Sequence, residues 1–256
     1  MQGVIEAPAN AALAVPKITV ATVVYNGVAD VARTIDSTLA QDHPDVELVV
    51  IDGGSNDGTQ AVVARYGPAI DCFVSEPDRG IYDAMNKALA RATGEYIVFM
   101  NCGDVFAGAG ALTSAARALR AGTEQVVFGA WKRREADGRI VDRRPSLARG
   151  LFNHQAIVYS RSLHRQFGSY LAIRGLTTAD YLFFASVIAS GTVTCTCIDE
   201  PLAEIEVDGV SAGAPTLSQK LAIDYLVGRA SRAKLLLVLA AHPGYRRAKA
   251  LLRRLR

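Results

Sequence analysis

The sequence predicts an α/β fold built on a mixed, mainly parallel sheet with helices on its faces, and three observations carry that expectation. Apolar, β-branched runs alternate with stretches of helical period through the first half of the chain. Polar residues gather where those runs end, which is where open α/β sheets bind ligands. With 256 residues, half of them hydrophobic and 21% charged, the chain is long enough to bury one substantial core with appendages.

The elements follow in order. "KITVATVV" opens as a strand, a helix is expected near Val28 to Ala40, and "VELVVI" is the second strand. A helix near Asp57 to Tyr66, the strand "IDCFV", a helix near Ile81 to Ala92 and the strand "YIVFM" continue the alternation. A helix near Ala111 to Ala121 and the strand "QVVFGA" complete it. The second half is less regular: strand-like "QAIVYS", an apolar helix "DYLFFASVIAS", then "TVTCTCI" and "LAEIEV" as two further strands before C-terminal helices.

Composition narrows the function classes. The four cysteines form no C-x-x-C pair and the four histidines have no zinc-type spacing against them, so free thiols in a reducing compartment are expected. "MQGVIEAPANAALAVP" has no basic start and no stretch long enough to span a bilayer; residues 1–16 read as a lead-in rather than a signal peptide or anchor. Net charge is +3, but after Asp224 the chain carries nine Lys or Arg and no acid, leaving the body at −6 and the tail at +9. Leucines mixed with arginines in "AKLLLVLAAHPGYRRAKALLRRLR" suit an anionic membrane surface, contacted through residues 229–256, better than nucleic acid. A solvated helix packed on the body is the competing reading of the same segment.

The strand exits are "TVVYNG", "IDGGSNDGT", "SEPDRGIYD" and "MNCGD". Neither G-x-G-x-x-G nor G-x-x-x-x-G-K-[ST] occurs, which removes support from a dinucleotide dehydrogenase and a P-loop NTPase. In "IDGGSNDGT", Gly53 and Gly54 suit a turn with positive φ, and Ser55 or Asp57 suits a helix cap. A tight turn does not require Asp52, whose carboxylate suits a nucleobase or ribose. Asp83, Asn86 and Lys87 share a helix face, either as an exposed ion pair or as a face toward ribose and phosphate. In "NCGD", Asp104 is either a strand cap or the carboxylate of a hard-cation site completed by phosphates and waters, with Asn101 beside it. His154 and Gln155 precede an apolar strand, and Thr177 to Asp180 has the spacing of a capping box with Asp in place of Glu.

Taken together, "DGGSNDGT", "SEPDRGIYDAMNKALA", "NCGD", "HQA", "ADY" and "DGVS", in that order, resemble the family 2 glycosyltransferases of GT-A fold, a Rossmann-like architecture. The bacterial polysaccharide and glycolipid branch is the nearest in pattern, and the likeness covers about residues 17 to 211, with 212–256 as a helical basic extension. The resemblance implies a nucleotide-sugar donor, Mn2+ or Mg2+, and inversion at the anomeric carbon. It implies that Thr22, Tyr25, Asn26, Asp52, Gly53 and Ser55, with Asp78, Gly80, Asp83, Lys87 and Asn101, surround the nucleotide sugar, the nucleotide half ending near residue 105. Asp104 would hold the metal, Asp180 would act as base, and His154 and Gln155 would face the acceptor or diphosphate. Two departures stand out: Asn101 replaces the first acid of the family's D-x-D element, and Leu182 stands where many relatives carry an acid after "ADY".

The activity so implied is transfer of a sugar to a saccharide or lipid-linked acceptor at the cytoplasmic face of the membrane. A nucleotidyltransferase would need a triphosphate-gripping loop that "YNGVADVARTI" does not supply. A silent nucleotide-sugar sensor is the third reading, kept open by the altered D-x-D.

Overall fold

The computed structural model describes residues 15–120, 122–135, 137–206 and 214–236. The first run forms β1 (Ile18–Val24), buried along its whole length. It is followed by α1 (Val31–Leu39), β2 (Val46–Asp52), α2 (Thr59–Ala64), β3 (Cys72–Ser75), α3 (Ile81–Arg91) and β4 (Tyr96–Phe99). Next come β5 (Val105–Phe106), α4 (Ala111–Ala118), β6 (Gln125–Arg134), β7 (Ile140–Arg143) and β8 (Ile157–Ser160). The chain continues through α5 (Leu163–Phe167), α6 (Ala179–Ser190), β9 (Thr194–Glu206) and α7 (Ala214–Leu226).

The strands form one mixed sheet in the order β3-β2-β1-β4-β8-β6-β9-β5, with β7 paired to β6. β3, β2, β1 and β4 are mutually parallel, and β8 runs antiparallel between β4 and β6. Because β1 lies between β2 and β4, the winding reverses there, and a crevice opens beyond the carboxyl ends of β1 and β4.

Period-two alternation sends side chains to two cores. Ala21, Val23, Val49, Ile51, Ile97 and Phe99 pack with Tyr82 and Met85 of α3 and with Phe183 and Phe184 of α6. On the other face, Ile18, Val20, Leu48, Val50 and Val98 pack with Val31 and Ile35 of α1 and Leu112 of α4. α6 is apolar nearly all round and largely buried, as such a composition requires.

Several boundaries differ from the sequence reading. "TVTCTCI" and "LAEIEV" are one strand, β9, because Pro201, which has no N–H to give, sits where the register against β6 shifts instead of ending the ladder. The helix expected over 57–66 shortens to α2, bounded by left-handed Gly58 and by Gly67, which begins a 3-10 turn. The helix expected to reach Ala121 ends at Ala118, and the strand begun at Ile70 starts at Cys72.

α7 docks on α6: Tyr181 OH donates to Asp224 at 2.7 Å, and Gln219 Oε1 accepts from Thr178 OH at 3.0 Å. Arg229 is taken out of the basic tail's free surface, since its guanidinium pairs with Asp224 at 3.0 Å and lies 5.5 Å over the Tyr181 ring. Most of the lead-in, the "DGVS" segment and residues 237–256 of the basic tail lie outside the described residues. Among the described residues no helix is long and apolar enough to cross a membrane.

Candidate active site

A cavity of about 520 Å3 occupies the crevice beyond β1 and β4, within the size range of small-molecule sites. Of the residues singled out in the sequence, Tyr25, Asn26, Asp78, Gly80, Asn101, Asp104, His154 and Gln155 line it. Thr22, Asp52, Gly53, Ser55, Asp83, Lys87 and Asp180 stand behind that wall.

The β2 exit is organised by Asp52, which is fully buried. Its carboxylate accepts from the Ser55 N–H at 3.0 Å, from Ser75 OH at 2.6 Å and from Ser55 OH. Ser55 Oγ in turn accepts from the N–H of Asn26, and Asn26 Oδ1 accepts from the N–H of Asn56, so the first two exits are stitched together. Asn26 itself takes a left-handed φ of 49°, which asparagine tolerates. Gly54 has the positive φ expected of it, at 82°, but Gly53 does not. Gly53 is needed for close approach: a Cβ there would lie 2.3 Å from Asp78 Oδ2 and 3.3 Å from the Tyr25 ring. Asp57 Oδ1 accepts from the N–H and hydroxyl of Thr59 at the start of α2, whereas Ser55 serves Asp52 and caps nothing.

At the β3 exit, Asp78 Oδ1 accepts from the Gly80 N–H at 2.8 Å, which orders the turn into α3. Asp83 is claimed by Arg79 at 2.9 Å, and Lys87 by the Pro77 carbonyl at 2.7 Å and Glu76 at 3.1 Å. Asn86 clamps the backbone of Tyr170 from both sides. This polar face therefore fastens loops around the cavity and does not border it.

At the β4 exit, Gly103 adopts φ 98°, and the Asp104 N–H closes the turn on the Asn101 carbonyl at 3.0 Å. The turn is pinned to α1: the Gly103 N–H donates to Thr34 Oγ1 at 3.0 Å, Thr34 OH donates to the Asp104 carbonyl at 2.8 Å, and Arg33 donates to the Gly103 carbonyl. The Asp104 carboxylate accepts from Gln155 Nε2 at 2.5 Å. Gln155 and His154 sit on a 3-10 turn before β8, held by Asn153 Oδ1, which accepts from the Gln155 N–H at 2.9 Å.

Asp180, in the first turn of α6, is not part of a capping box: Thr178 is the N-cap, and no side-chain cap bond forms. Its Oδ2 faces His154 Nδ1 at 2.9 Å, and its Oδ1 accepts from Tyr82 OH at 2.6 Å. His154 Nε2 lies 2.9 Å from Asn101 Nδ2, so a hydrogen-bonded chain links the β4 exit to α6. Burial raises the Asp180 pKa, but the His154 charge, the hydrogen bonds from His154 and Tyr82 and a backbone N–H outweigh it and hold it at about 2. Burial against this carboxylate pushes the Tyr82 hydroxyl well above its ordinary range.

Two oxygens in the wall, Asn101 Oδ1 and Gln155 Oε1, are buried without a hydrogen-bond partner, as is Thr22 Oγ1 behind it. Buried acceptors left empty in an otherwise satisfied site mark where ligand donors belong. Among the described residues no three His, Cys, Asp or Glu side chains converge as a metal cage. Asp104 fits a hard cation held by one carboxylate, with the empty Asn101 and Gln155 amide oxygens placed to accept from its waters.

Sequence reasoning missed Tyr82, Asp30, Cys102 and Thr177 among the lining residues. Tyr82 had a local signal, a hydroxyl-bearing aromatic three residues before buried Met85 on the helix that opens at the third exit. Burial and the Asp30 and Asp104 charges push the Cys102 thiol up to about 12, leaving it a neutral packing group.

Comparison with known proteins bears on the family and the fold. Residues 19–176 match the model of Glycosyl transferase family 2. An uncharacterised glycosyltransferase of Mycobacterium tuberculosis is 30% identical over 206 residues, covering 77% of this chain and 78% of that one. A PGL/p-HBAD biosynthesis glycosyltransferase of Mycobacterium bovis is 29% identical over 178 residues, covering 67% and 69%. Among solved structures, a mannosyltransferase from Pyrobaculum calidifontis in complex with GDP-Man and Mn2+ superposes with a TM-score of 0.67 at 22% identity, over 89% of this chain and 70% of that one. TarS of S. aureus in complex with UDP-GlcNAc gives 0.66 at 18% identity, over 88% and 71%. The architecture is thus GT-A, and with a family match across most of the sheet and a relative aligned along most of both chains, this protein belongs to glycosyl transferase family 2.

Proposed function

We propose that this glycosyltransferase moves a sugar from a nucleoside-diphosphate donor to a saccharide or lipid-linked acceptor, with inversion, in cell-surface polysaccharide or glycolipid synthesis. The observation that carries the reading is that Asp104 and His154, the latter backed by Asp180, line one cavity at the switch point of the sheet. Residues 17 to 211 form the catalytic unit in this reading, with the nucleotide half ending near 105. Mn2+ or Mg2+, held by Asp104, would supply Lewis-acid stabilisation of the departing diphosphate.

The chain's own groups do the rest. Tyr25, over Gly53, and Asn26 present an aromatic face and an amide to the base, while Asp78, ordered on Gly80, faces the ribose. Thr22 carries a hydroxyl awaiting a partner behind them. Asp52, Ser55, Asp83 and Lys87 hold the loops that bear these groups. Gln155 steadies Asp104 and, with Asn101, offers an empty oxygen to the bound sugar or its waters. Asp180 takes the proton from the acceptor hydroxyl as general base while the glycosidic bond forms.

A panel of nucleotide sugars, with and without Mn2+, tests this directly. The cognate donor raises the melting temperature in the presence of metal, and Asp180→Asn keeps that shift while losing transfer. A protein that no nucleotide sugar stabilises would remove the proposal. Membrane association through the basic tail is the remaining part of the reading. Truncation after Leu236, which spares the Arg229–Asp224 pair, should weaken binding to anionic vesicles in a salt-sensitive way.

A further inference from the structure

In the proposed reaction Asp180 has little freedom to find its partner. It stands behind the cavity wall, with Oδ1 on Tyr82 OH and Oδ2 on His154 Nδ1. Each carboxylate oxygen can accept twice, so a lone pair is left for an acceptor hydroxyl, but only along directions that those two bonds leave open. A base that must come within hydrogen-bond distance of its proton is sensitive to small shifts of the backbone that carries it. Whatever fixes the first turn of α6 therefore bears on the chemistry.

That turn is not fixed by its own cap. Thr178 occupies the N-cap position, yet its side chain makes no cap bond to the helix. Its hydroxyl donates instead to Gln219 Oε1 of α7, at 3.0 Å. The same oxygen accepts from the Thr177 N–H at 3.0 Å, and Gln219 Nε2 donates to the Gly175 carbonyl at 2.8 Å. One side chain thus closes on three residues of the segment that leads into α6. Thr177, one of the three, lines the cavity, and its hydroxyl lies 2.9 Å from that of Thr216, also on α7.

A second arm of α7 grips the other side. Tyr181, next in sequence after Asp180, is buried and donates through its hydroxyl to Asp224 at 2.7 Å. Arg229 holds Asp224 in turn, at 3.0 Å. The pair fits because Gly150 has no side chain: a Cβ there would lie 2.0 Å from the Tyr181 hydroxyl oxygen. Between the two arms, Ile223 is buried in the same core as Phe183 and Phe184 of α6.

We propose that α7 clamps the turn that carries the base: Gln219 and Asp224 are positioning residues that hold Asp180 from both sides, and the catalytic unit extends past residue 211 to include this helix. The inference rests on the glycosyl-transfer reading above and leaves its chemical step as it stands. Gln219 and Asp224 act through Thr177, Thr178 and Tyr181, without touching the substrate themselves. The extension is then part of the active site's frame, and the basic tail begins where that frame ends.

Variants of the full chain test this with Mn2+ and whichever nucleotide sugar stabilises the wild type. Turnover is read as release of nucleoside diphosphate, water taking the place of the acceptor hydroxyl. Gln219→Met keeps the length of the side chain and loses its hydrogen bonds; kcat should fall about tenfold while the donor KM and calorimetric affinity stay unchanged. Tyr181→Phe, which cuts the second arm, should cost about fivefold in kcat with the same split. Thr178→Val removes the other end of a Gln219 bond, so the double variant Thr178→Val/Gln219→Met should be no slower than Gln219→Met alone. Without any donor, Gln219→Met should speed amide hydrogen exchange across residues 177–182 about tenfold and leave β1 and β2 as they are. The clamp is refuted by a Gln219→Met protein whose kcat stays within about twofold of the wild type, whose donor affinity falls in step with kcat, or whose exchange across 177–182 does not change. Multiplied losses in the double variant would also refute it. If exchange responds as expected but no nucleotide sugar stabilises the wild type, the fault lies with the transferase reading and not with the clamp.

Discussion

The two ends of the parallel strands handle buried polarity in opposite ways. At the amino ends of β1, β2 and β4, Glu47 is buried and fully engaged. Its carboxylate accepts from Thr19 OH at 2.5 Å, from the N–H of Thr93 at 2.8 Å, from the Gly94 N–H at 3.4 Å and from the hydroxyl of Thr93, with Lys17 at 3.4 Å. At the carboxyl ends, Thr22, Asn101 and Gln155 each keep a buried oxygen with no partner. Folding alone accounts for the first arrangement. The second leaves oxygens that a ligand or its waters can fill, and this difference separates a strand end built for the fold from one built for a site.

Substitutions at the two ends should therefore separate stability from activity. The largest effect is expected for Asp104→Asn, which should cut kcat/KM about a thousandfold and abolish metal-dependent stabilisation by donor, with the metal-free melting temperature little changed. A melting temperature that collapses instead would make Asp104 a structural residue like Glu47.

Glu47→Ala should do the reverse, costing on the order of 3 kcal/mol in urea unfolding while leaving turnover per folded molecule intact. The same site predicts a pH dependence. Burial raises the Glu47 pKa, but the Thr19 and Thr93 hydroxyls, the Thr93 N–H and Lys17 more than offset it and hold it at about 2, against an ordinary 4.5. A depressed folded-state pKa means that the unfolded chain binds the proton more readily. The stabilisation is therefore full above pH 4.5 and is lost as pH falls from 4.5 toward 2. Glu47→Gln should flatten that part of the urea-midpoint profile, and an unchanged profile would mean that other carboxylates dominate it.

The smallest effect is expected for Thr22→Val, which removes a buried hydroxyl that has no protein partner. Stability without ligand should hold or rise by up to about 1 kcal/mol, while nucleotide affinity falls about tenfold. Loss of stability without loss of affinity would show that the hydroxyl serves the fold.

What the sequence revealed was what short-range pattern encodes. Period-two runs located most of the strands, and the Asn-Cys-Gly-Asp stop correctly implied a turn at Gly103 that presents Asp104. Residues that act through distant partners were not legible. Tyr82 and Asp180 are 98 positions apart, and Asn101 and His154 are 53 apart, so no local spacing announces either pair. Gly53 looked like a positive-φ turn residue because it shares a dipeptide with Gly54, whereas its role depends on Asp78 arriving from another loop. Asp83, Asn86 and Lys87 had the spacing of a ligand-binding face, and only the packed loops reveal that their hydrogen bonds are spent on Arg79, Pro77 and Tyr170.

The pinning of the β4 exit to α1 has a consequence for kinetics. Gly103 and Asp104 are held through their backbone by Arg33 and Thr34 before any ligand arrives, so the conformational entropy of this segment is lost during folding and not again at each encounter. In the proposed reaction, cation and diphosphate would meet a carboxylate already aimed at them, and donor capture at this corner would need no loop-ordering step. Loosening that tether with Thr34→Val would return the ordering cost to the binding event and slow association more than it changes the chemistry.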